Sequence, residues 1–370
     1  MDDNHLPLLI VGGGIVGLMV AYQLTKKYPN LEFALLEQEQ YLGDHASGRN
    51  SGVLHAGIYY PQNSLKHLLC IEGNQLWRDI ALELDIPCQS CGKFIVATSS
   101  LEMKALSELL HRAQQNGVPG IEVCTKSQLA ILQKEVVAEG AIYAPSTAII
   151  DVASAIRLLS VELERKGVLL MRNYMVTNLS PKEGGRGFTV QTNREELSCD
   201  QVINCAGAGA IALRKTLGLC ELESLIIKGN YLRFNGKLAT KSLIYPVPAE
   251  REGHLGVHSV LDIDGVVRFG PDSIKTDTFS YQIDDEVKDR MWPAIHHMFH
   301  QVKYQQLTAD FAGIRPKILL NGSPHLDFWL KGDLGPVGYY EACGIDSPGL
   351  TAAPAIARYL VNQITINDLN

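Results

Sequence analysis

Three glycines near the start of the chain have the spacing of a phosphate-binding turn. Gly12, Gly14 and Gly17 fill the pattern G-x-G-x-x-G between an apolar run and a helix-like segment. The first glycine of this pattern makes a tight turn, the second lets the backbone approach a pyrophosphate, and the third lets helix and strand pack closely. The N-terminus of that helix offers free N–H groups and a positive dipole end to the phosphates. The spacing therefore predicts a bound dinucleotide.

The next charged residue and the loop after it indicate which dinucleotide is bound. Glu37 ends the second apolar run, where a carboxylate hydrogen-bonds a ribose hydroxyl and repels a 2′-phosphate, which argues against NADP. Residues 43–60 read GDHASGRNSGVLHAGIYY, whereas a nicotinamide-binding domain normally continues into a plain βα unit. Such a polar loop can carry a second set of donors along a longer cofactor. We therefore predict FAD.

Two later segments complete the predicted cofactor site. Residues 207–212 read GAGAIA and mimic a second nucleotide turn, but no acid ends a following strand. We assign 201–212 to the domain of the first nucleotide, so that the electron donor is an organic substrate and not NADH. Residues 344–350 read GIDSPGL and precede a helix whose N-terminus is predicted to face the flavin N1/O2 edge and to stabilise the anionic reduced flavin. The predicted cofactor-binding residues are Gly12, Gly14, Ile15, Val16, Gly17, Glu37, Gln38, Ser47, Arg49, Asn50, Ser51, Gly52, Val176, Ala206, Gly207, Gly344, Ile345, Asp346, Pro348, Gly349 and Leu350.

The elements that must position these residues follow from the apolar pattern. A strand at 8–11, a helix at 18–27 and a strand at 33–37 make a βαβ opening. Asp151 is a predicted N-cap. Further helices are predicted at 63–84, 101–116, 126–134, 151–166, 283–301 and 350–364. Further strands are predicted at 93–98, 168–179, 187–191, 201–205, 225–234, 255–260, 266–269 and 325–331.

Composition excludes several classes of protein. Lys and Arg number 33 against 40 Asp and Glu, a net charge of −7, so no nucleic-acid partner is expected. The eight cysteines do not resemble a disulfide scaffold, and no metal site is expected, since Cys88-x-x-Cys91 has no second pair and the His296/His300 pair has no third ligand. The start of the chain is acidic and no apolar run reaches about 18 residues, which predicts a cytoplasmic protein without a transmembrane segment. Peripheral contact with the inner face of a membrane stays open.

The motifs together resemble one family along nearly the whole chain. GGGIVG, LLEQE and GDHASGRNSGVLHAGIYYPQNSLKHLLC closely resemble the FAD-dependent L-2-hydroxyglutarate dehydrogenases and oxidases of the D-amino-acid oxidase superfamily. CGKFIVA at 91–97, VINCAG at 202–207 and YPVP at 245–248 continue the resemblance in order. It implies an α/β fold: a Rossmann-like FAD-binding domain of the glutathione-reductase type with an inserted α+β substrate domain that contains a mostly antiparallel sheet. We assign residues 1–85, 145–215 and 310–370 to the FAD-binding domain, and 86–144 and 216–309 to the substrate domain.

The resemblance implies an activity. The expected reaction oxidises an L-2-hydroxy acid, L-2-hydroxyglutarate first among them, to the 2-oxo acid by hydride transfer to flavin N5, with oxygen or a quinone-linked acceptor taking the electrons. Lys228-Gly229-Asn230-Tyr231 and Gly313-Ile314-Arg315-Pro316 depart from the family pattern, and the second resembles the glycine and sarcosine oxidases. An amino-acid or amine oxidase of the same fold, of the glycine/sarcosine or D-amino-acid type, is therefore the alternative, and a non-enzymatic flavoprotein is a third.

This chemistry needs a grip on the substrate carboxylate and a proton acceptor. Arg315 is the predicted carboxylate ligand, because a guanidinium matches a carboxylate as a bidentate fork. The base is predicted to be His258 or His55. Tyr60 and Tyr245 are predicted to hydrogen-bond the substrate. A second carboxylate on the substrate would need another cation, and Lys66, Lys228 and Lys317 are the candidates, of which Lys228 is assigned to the substrate site.

Overall fold

The structure is a computed structural model that describes residues 5–248, 256–332 and 335–365. The helices are α1 (Ile15–Lys27), α2 (Leu65–Glu83), α3 (Ser100–Gln115), α4 (Lys126–Leu132), α5 (Val152–Arg165), α6 (Ala210–Thr216), α7 (Val287–Met298) and α8 (Gly349–Gln363). The strands are β1 (His5–Val11), β2 (Phe33–Glu37), β3 (Val53–Leu54), β4 (Cys88–Ser90), β5 (Lys93–Ala97), β6 (Glu122–Val123), β7 (Gly140–Ala144), β8 (Ala148–Ile150), β9 (Leu169–Arg172), β10 (Val176–Pro181), β11 (Phe188–Thr192), β12 (Glu196–Asn204), β13 (Leu222–Phe234), β14 (Leu243–Pro246), β15 (His258–Leu261), β16 (Val267–Gly270), β17 (Ile274–Lys275), β18 (Leu307–Leu320), β19 (Ser323–His325), β20 (Trp329–Lys331) and β21 (Tyr339–Cys343).

A mixed sheet with β1 at its centre carries the opening glycine turn. β1 pairs in parallel with β2 on one side and β12 on the other, and β9 and β21 extend the parallel part. β1 is apolar on both faces, and Leu8, Leu9 and Ile10 are fully buried, as expected of a strand covered on both sides. Helix α1 returns the chain from β1 to β2 and packs against α8. The predicted βαβ opening and the α/β class are confirmed.

A second, mostly antiparallel sheet forms the other half of the molecule, as predicted. Its two long strands, β13 and β18, pair from Leu222–Leu320 to Phe234–Leu307, and β15, β16, β17 and β19 flank them. β18 was not predicted, because its sequence lacks a clear apolar/polar alternation. Residues 310–320 therefore join this sheet, although the sequence assigned 310–370 to the FAD-binding domain. The other domain boundaries stay predictions.

Two smaller sheets connect the two halves. β5 lies between β14 and β7, with β6 beyond, and α3 packs on this sheet. β8 lies between β3 and β4. Asp151 caps α5 by accepting a hydrogen bond from the Ser154 N–H at 3.1 Å, which confirms the predicted N-cap. No helix in the described residues is long and apolar enough to cross a membrane.

Some predicted strands have different limits in the structure. The run predicted at 168–179 is two strands, because the backbone turns at Asn173, whose φ is 60°. The run at 325–331 falls across the end of β19 and the whole of β20, and β12 begins at Glu196, before the predicted 201. Residue 255 of the strand predicted at 255–260 lies outside the described residues.

Candidate active site

A cavity of about 1420 Å³ lies between the parallel sheet and the antiparallel sheet. Pockets for one drug-sized ligand measure about 300–1,000 Å³, so this cavity suits a longer molecule with a second ligand beside it. It begins at the glycine turn after β1, passes the loop at 43–53 and the start of α8, and reaches β13, β15 and β18. The chain segments predicted for the cofactor and those predicted for the substrate thus open into one space.

Most of the predicted cofactor-binding residues line this cavity. Gly17, Gly52 and Gly344 do not, and they lie in packing positions beside it. The segment 206–209 lines the same cavity as the first glycine turn, in keeping with its assignment to one nucleotide. The lining residues from the prediction are Gly12, Gly14, Ile15, Val16, Glu37, Gln38, Ser47, Arg49, Asn50, Ser51, Val176, Ala206, Gly207, Ile345, Asp346, Pro348, Gly349 and Leu350.

The glycine turn has the shape that a pyrophosphate requires. Gly12 has φ +106°, and a β-carbon on it would stand 2.4 Å from the carbonyl oxygen of Cys205. A β-carbon on Gly17 would stand 2.0 Å from the carbonyl oxygen of Gly12, so the third glycine serves the contact of helix and strand. Gly14 is the N-cap residue of α1 and offers no side-chain cap, and the first turn of α1 has no acidic residue. The positive end of the helix is thus open to a phosphate.

Two polar side chains border the turn. The Ser47 hydroxyl, from the predicted polar loop, accepts a hydrogen bond from the Ile15 N–H at 2.8 Å. The buried Glu37 carboxylate accepts the N–H of Gly13 at 2.7 Å and the N–H of Glu39 at 2.9 Å. Each carboxylate oxygen keeps a further lone pair for a ribose hydroxyl. The glycine turn, the open helix end and this carboxylate together fit the nucleotide part of FAD.

A buried carboxylate with two lysines lies in front of α8. The Asp346 side chain contacts Lys66 Nζ at 2.5 Å and Lys317 Nζ at 2.9 Å. Burial acts to raise the pKa of Asp346, but the two ammonium groups outweigh it and hold that pKa below its usual value. Lys66 and Lys317, both candidates for a second substrate carboxylate, are thus already paired with Asp346. The net positive charge of the cluster, at a helix N-terminus, suits the electron-rich edge of a reduced flavin.

Arg315 lies on β18 at the far end of the cavity. Its guanidinium donates to the Asp272 carbonyl at 3.0 Å and to the Ser273 hydroxyl at 3.3 Å. Both acceptors are neutral, so no carboxylate pairs with the guanidinium in these two contacts, and further N–H donors remain for a ligand carboxylate. Arg315 therefore lies where the sequence prediction needs it, on the wall of the cavity.

The two predicted histidines line the same end of the cavity. His258 Nδ1 lies 2.7 Å from the Gly256 carbonyl, so Nδ1 carries the proton and Nε2 keeps a free lone pair. Burial lowers the pKa of His258 to about 3, and the charges of Lys93 and Arg315 act in the same direction. The pKa of His55 is lowered well below its usual value by burial and by Lys93 and His258. Both imidazoles are thus neutral and able to accept a proton.

The predicted substrate-binding tyrosines lie beside the histidines, but Lys228 does not. Tyr245 stacks on His258 with ring centroids 3.7 Å apart, and its hydroxyl has no partner among the described residues. Burial raises the pKa of Tyr60, whose hydroxyl hydrogen-bonds Ser347, so it stays a neutral donor. Lys228 does not line the cavity. Successive residues of a strand face opposite sides of the sheet, and the neighbouring Gly229 faces the cavity. The Lys228 ammonium instead donates a hydrogen bond to the Gln282 carbonyl. Its assignment to the substrate site is therefore corrected.

Two cationic residues at or behind the cavity wall were not predicted. Arg112, in the last turn of α3, lines the cavity, and no hydrogen bond or ion pair of its side chain occurs among the described residues. Lys93 lies behind the tyrosines and is fully buried. A lysine within the apolar strand sequence KFIVA was a signal that sequence reasoning could have used. Arg112 gave no signal, because only the tertiary fold brings α3 to the cavity.

Comparison with known protein families and curated proteins gives one consistent result. The family described as FAD dependent oxidoreductase (DAO) matches residues 8–363. The mitochondrial L-2-hydroxyglutarate dehydrogenase of Arabidopsis thaliana is 31% identical over 97% of this chain and 83% of its own length. The human mitochondrial enzyme of the same name is 34% identical over 74% of this chain, and the Salmonella houtenae L-2-hydroxyglutarate dehydrogenase is 34% identical over 72%. These two matches span 62% and 63% of those relatives.

Solved structures with the same fold are also enzymes of redox chemistry. A dithionite-reduced L-α-glycerophosphate oxidase from Mycoplasma pneumoniae with FAD bound superimposes with a TM-score of 0.88 and 27% identity, over 97% of this chain and 94% of its own. A glycine oxidase from Geobacillus kaustophilus superimposes with a TM-score of 0.82 over 99% of this chain and 97% of its own; at 20% identity it supports the fold alone.

Proposed function

The chain belongs to the DAO family of FAD-dependent oxidoreductases, and on that premise we propose that it oxidises L-2-hydroxyglutarate to 2-oxoglutarate. Family membership confirms the predicted cofactor and enzyme class. One observation carries the proposal: Arg315, His55 and His258 line the end of the cavity whose other end is the glycine turn. When bound, FAD supplies the acceptor for the hydrogen and electron pair that leave C2 of the substrate.

The protein groups divide the remaining work. Arg315 binds the C1 carboxylate as a bidentate fork and so orients C2. A histidine Nε2 takes the hydroxyl proton while the C2–H bond breaks, and the C2–O bond becomes a carbonyl. A base must be neutral to accept that proton, and burial keeps both imidazoles neutral. Tyr60 and Tyr245 supply neutral hydroxyls at the same end.

The second carboxylate of the proposed substrate needs its own cation. Lys66 and Lys317 are paired with Asp346, and Lys228 does not line the cavity. We assign this role to Arg112, whose side chain has no polar partner among the described residues and lines the cavity. The proposal therefore includes a dicarboxylate held between Arg315 and Arg112.

An anaerobic bleaching screen tests the function directly. The purified holoenzyme is mixed under argon with L-2-hydroxyglutarate, L-lactate, glycine, sarcosine and D-amino acids, and flavin absorbance is followed. We expect rapid bleaching by L-2-hydroxyglutarate, slower bleaching by L-lactate, which lacks the second carboxylate, and none by the amines. Bleaching by an amine instead would establish the rival activity that the Gly-Ile-Arg-Pro segment at 313–316 favours. No bleaching by any of these acids would favour a non-enzymatic flavoprotein.

Single variants of the site test the roles. Arg315→Ala should lower kcat/KM at least about 30-fold, the usual effect of removing one partner of a buried charge pair. Substitution of the histidine that acts as base by Asn should lower kcat by about 10²–10⁴-fold. Unchanged turnover in Arg315→Ala, or in both single histidine variants, would refute these roles.

The electron acceptor and the compartment are part of the same proposal. We propose that oxygen or a quinone-linked acceptor takes the electrons, to be separated by oxygen consumption against reduction of a quinone analogue. We also propose a cytoplasmic location, with peripheral membrane contact open, because all eight cysteines are free thiols, as is usual in a reducing compartment. Several relatives are named as mitochondrial, so cell fractionation is the deciding measurement.

A further inference from the structure

Lys93 is a buried cation without a hydrogen-bond partner. It begins β5, its relative exposure is 0%, and its Nζ forms no hydrogen bond with any described residue. Nζ lies 4.7 Å from the ring centroid of Tyr59 and 4.6 Å from that of Tyr245. An unpaired buried ammonium is costly, and the two ring faces offset only part of that cost. Because an unpaired buried ammonium lowers stability, we expect Lys93 to have a role other than stabilising the fold.

The groups that face Lys93 come from several elements, and within the described part of the chain none of them is a carboxylate. They are the two tyrosine rings, the Cys70 thiol of α2, the Cys91 thiol before β5 and the two imidazoles of the proposed site. Burial lowers the pKa of Lys93 to about 7, while the two thiols act to raise it. Below about pH 7 the ammonium is therefore charged, which includes the acidic range in which the two buried imidazoles take up a proton.

The charge of Lys93 acts on the two histidines of the proposed site. It lowers the pKa of His55, which also faces His258 and lies 3.5 Å from the Ser347 hydroxyl. It lowers the pKa of His258, whose other neighbours are the Tyr245 ring, the Gly256 carbonyl and Arg315. Lys93 itself is absent from the cavity lining, so it does not touch a ligand there.

We propose that Lys93 is a positioning residue of this enzyme: its ammonium, held behind Tyr59 and Tyr245, fixes the ring on which His258 stacks and adds to burial in keeping the proton-accepting imidazoles neutral. This inference rests on the proposed function, because measuring turnover requires the substrate of that function. Lys93 acts in two ways that both follow from its place. Its charge disfavours a second positive charge on the imidazoles, and its ring contacts hold Tyr245, on which His258 stacks.

The test replaces the ammonium by an apolar group of similar shape, in the Lys93→Met holoenzyme. Histidine ¹³C NMR measures the pKa of each imidazole, and kcat/KM for the substrate found in the bleaching screen is measured against pH. We expect the pKa of at least one of the two imidazoles to rise by about one unit. The acidic limb of kcat/KM should move upward by the same amount, so that the variant turns over about tenfold more slowly on that limb. Lys134→Met, the same change at an exposed lysine, should leave both readouts unchanged.

Two further measurements keep the outcome unambiguous. Lys93→Gln, neutral but polar, should give the same shifts and replaces the Met variant should that variant fold poorly. Unchanged histidine pKa values with an unchanged pH profile in a folded variant would overturn the proposal and leave Lys93 a packing residue. The NMR titration needs no substrate, so it still tests Lys93 even where the bleaching screen rejects the proposed function.

Discussion

The guanidinium of Arg315 lies over the α-carbon of Gly229 on the neighbouring strand. A β-carbon at Gly229 would stand 2.5 Å from Nη2 of Arg315 and 2.9 Å from Cβ of Pro271. Gly229 of β13 pairs with Gly313 of β18, and this pairing fixes the position of Arg315, two residues further along β18, relative to Gly229. The guanidinium therefore occupies the space that a side chain at position 229 would fill.

Adding one methyl group at this position should displace the carboxylate ligand. In Gly229→Ala we expect Arg315 to move, and kcat/KM to fall about 100-fold, the usual effect of misplacing a reacting group by about 1 Å. KM should carry most of the loss. Steady-state kinetics measure it, and flavin absorbance with the melting temperature shows that the protein is folded and loaded. Unchanged kinetics would mean that Arg315 does not hold the substrate.

Features that depend on residues close together in the sequence were predicted correctly. Features that depend on contacts between distant parts of the chain were not. The glycine turn and Glu37 lie within one βαβ unit, where periodicity and turn chemistry suffice. The pairing of Lys66 with Asp346, 280 residues apart, is invisible to such reasoning, so Lys66 stood among the candidates for a second substrate carboxylate. The same limit hid β18, whose strand character comes from its register with β13.

The carboxylate of Glu37 should contribute to FAD affinity. Glu37→Gln keeps the size but removes the charge and one of the two oxygens that accept N–H groups. We expect the Kd for FAD to rise about tenfold or more, as for other hydrogen bonds to charged groups. Titration of apoprotein with FAD, followed by flavin fluorescence, measures it. Glu39→Gln is the control, since Glu39 does not line the cavity; an equal loss in both variants would contradict a specific role.

Arg112 should determine the preference for a dicarboxylate. Arg112→Met removes the charge but keeps an apolar stem, and we expect KM for L-2-hydroxyglutarate to rise about tenfold. KM for L-lactate, which has no second carboxylate, should not change. L-lactate thus serves as the control for L-2-hydroxyglutarate in the same variant. Equal changes for both would show that Arg112 acts on the fold of α3 and not on the substrate.

A buried ion pair joins α6 to the edge of the parallel sheet. Arg214 and Glu341 are 0% and 1% exposed, with Nε 3.1 Å from Oε2, and Glu221, Trp329 and Tyr339 complete the hydrogen bonds of the pair. In Glu341→Gln, Glu221 is the one carboxylate of this cluster that still pairs with the Arg214 guanidinium. We expect the free energy of unfolding to fall by about 3–5 kcal/mol, measured by urea unfolding. Glu162→Gln, at the exposed pair with Arg165, should change it little. Comparable small losses in both variants would contradict this role.

Lys93 should make the stability of the protein depend on pH in the neutral to alkaline range. Its pKa is about 7 in the folded protein against 10.5 in a free side chain, so between these values the unfolded chain binds a proton that the folded chain does not. Stability therefore rises with pH across this window, and the cost of burying the charge is fully present below about pH 7. Lys93→Met lacks this cost. We expect it to exceed the parent in unfolding free energy by roughly 5 kcal/mol at most near pH 7, and by much less at pH 10. Urea unfolding of both proteins at the two pH values measures the difference, in which the contributions of other titrating groups cancel. A difference that stays constant with pH would show that Lys93 keeps an ordinary pKa, and that water or another group compensates its charge.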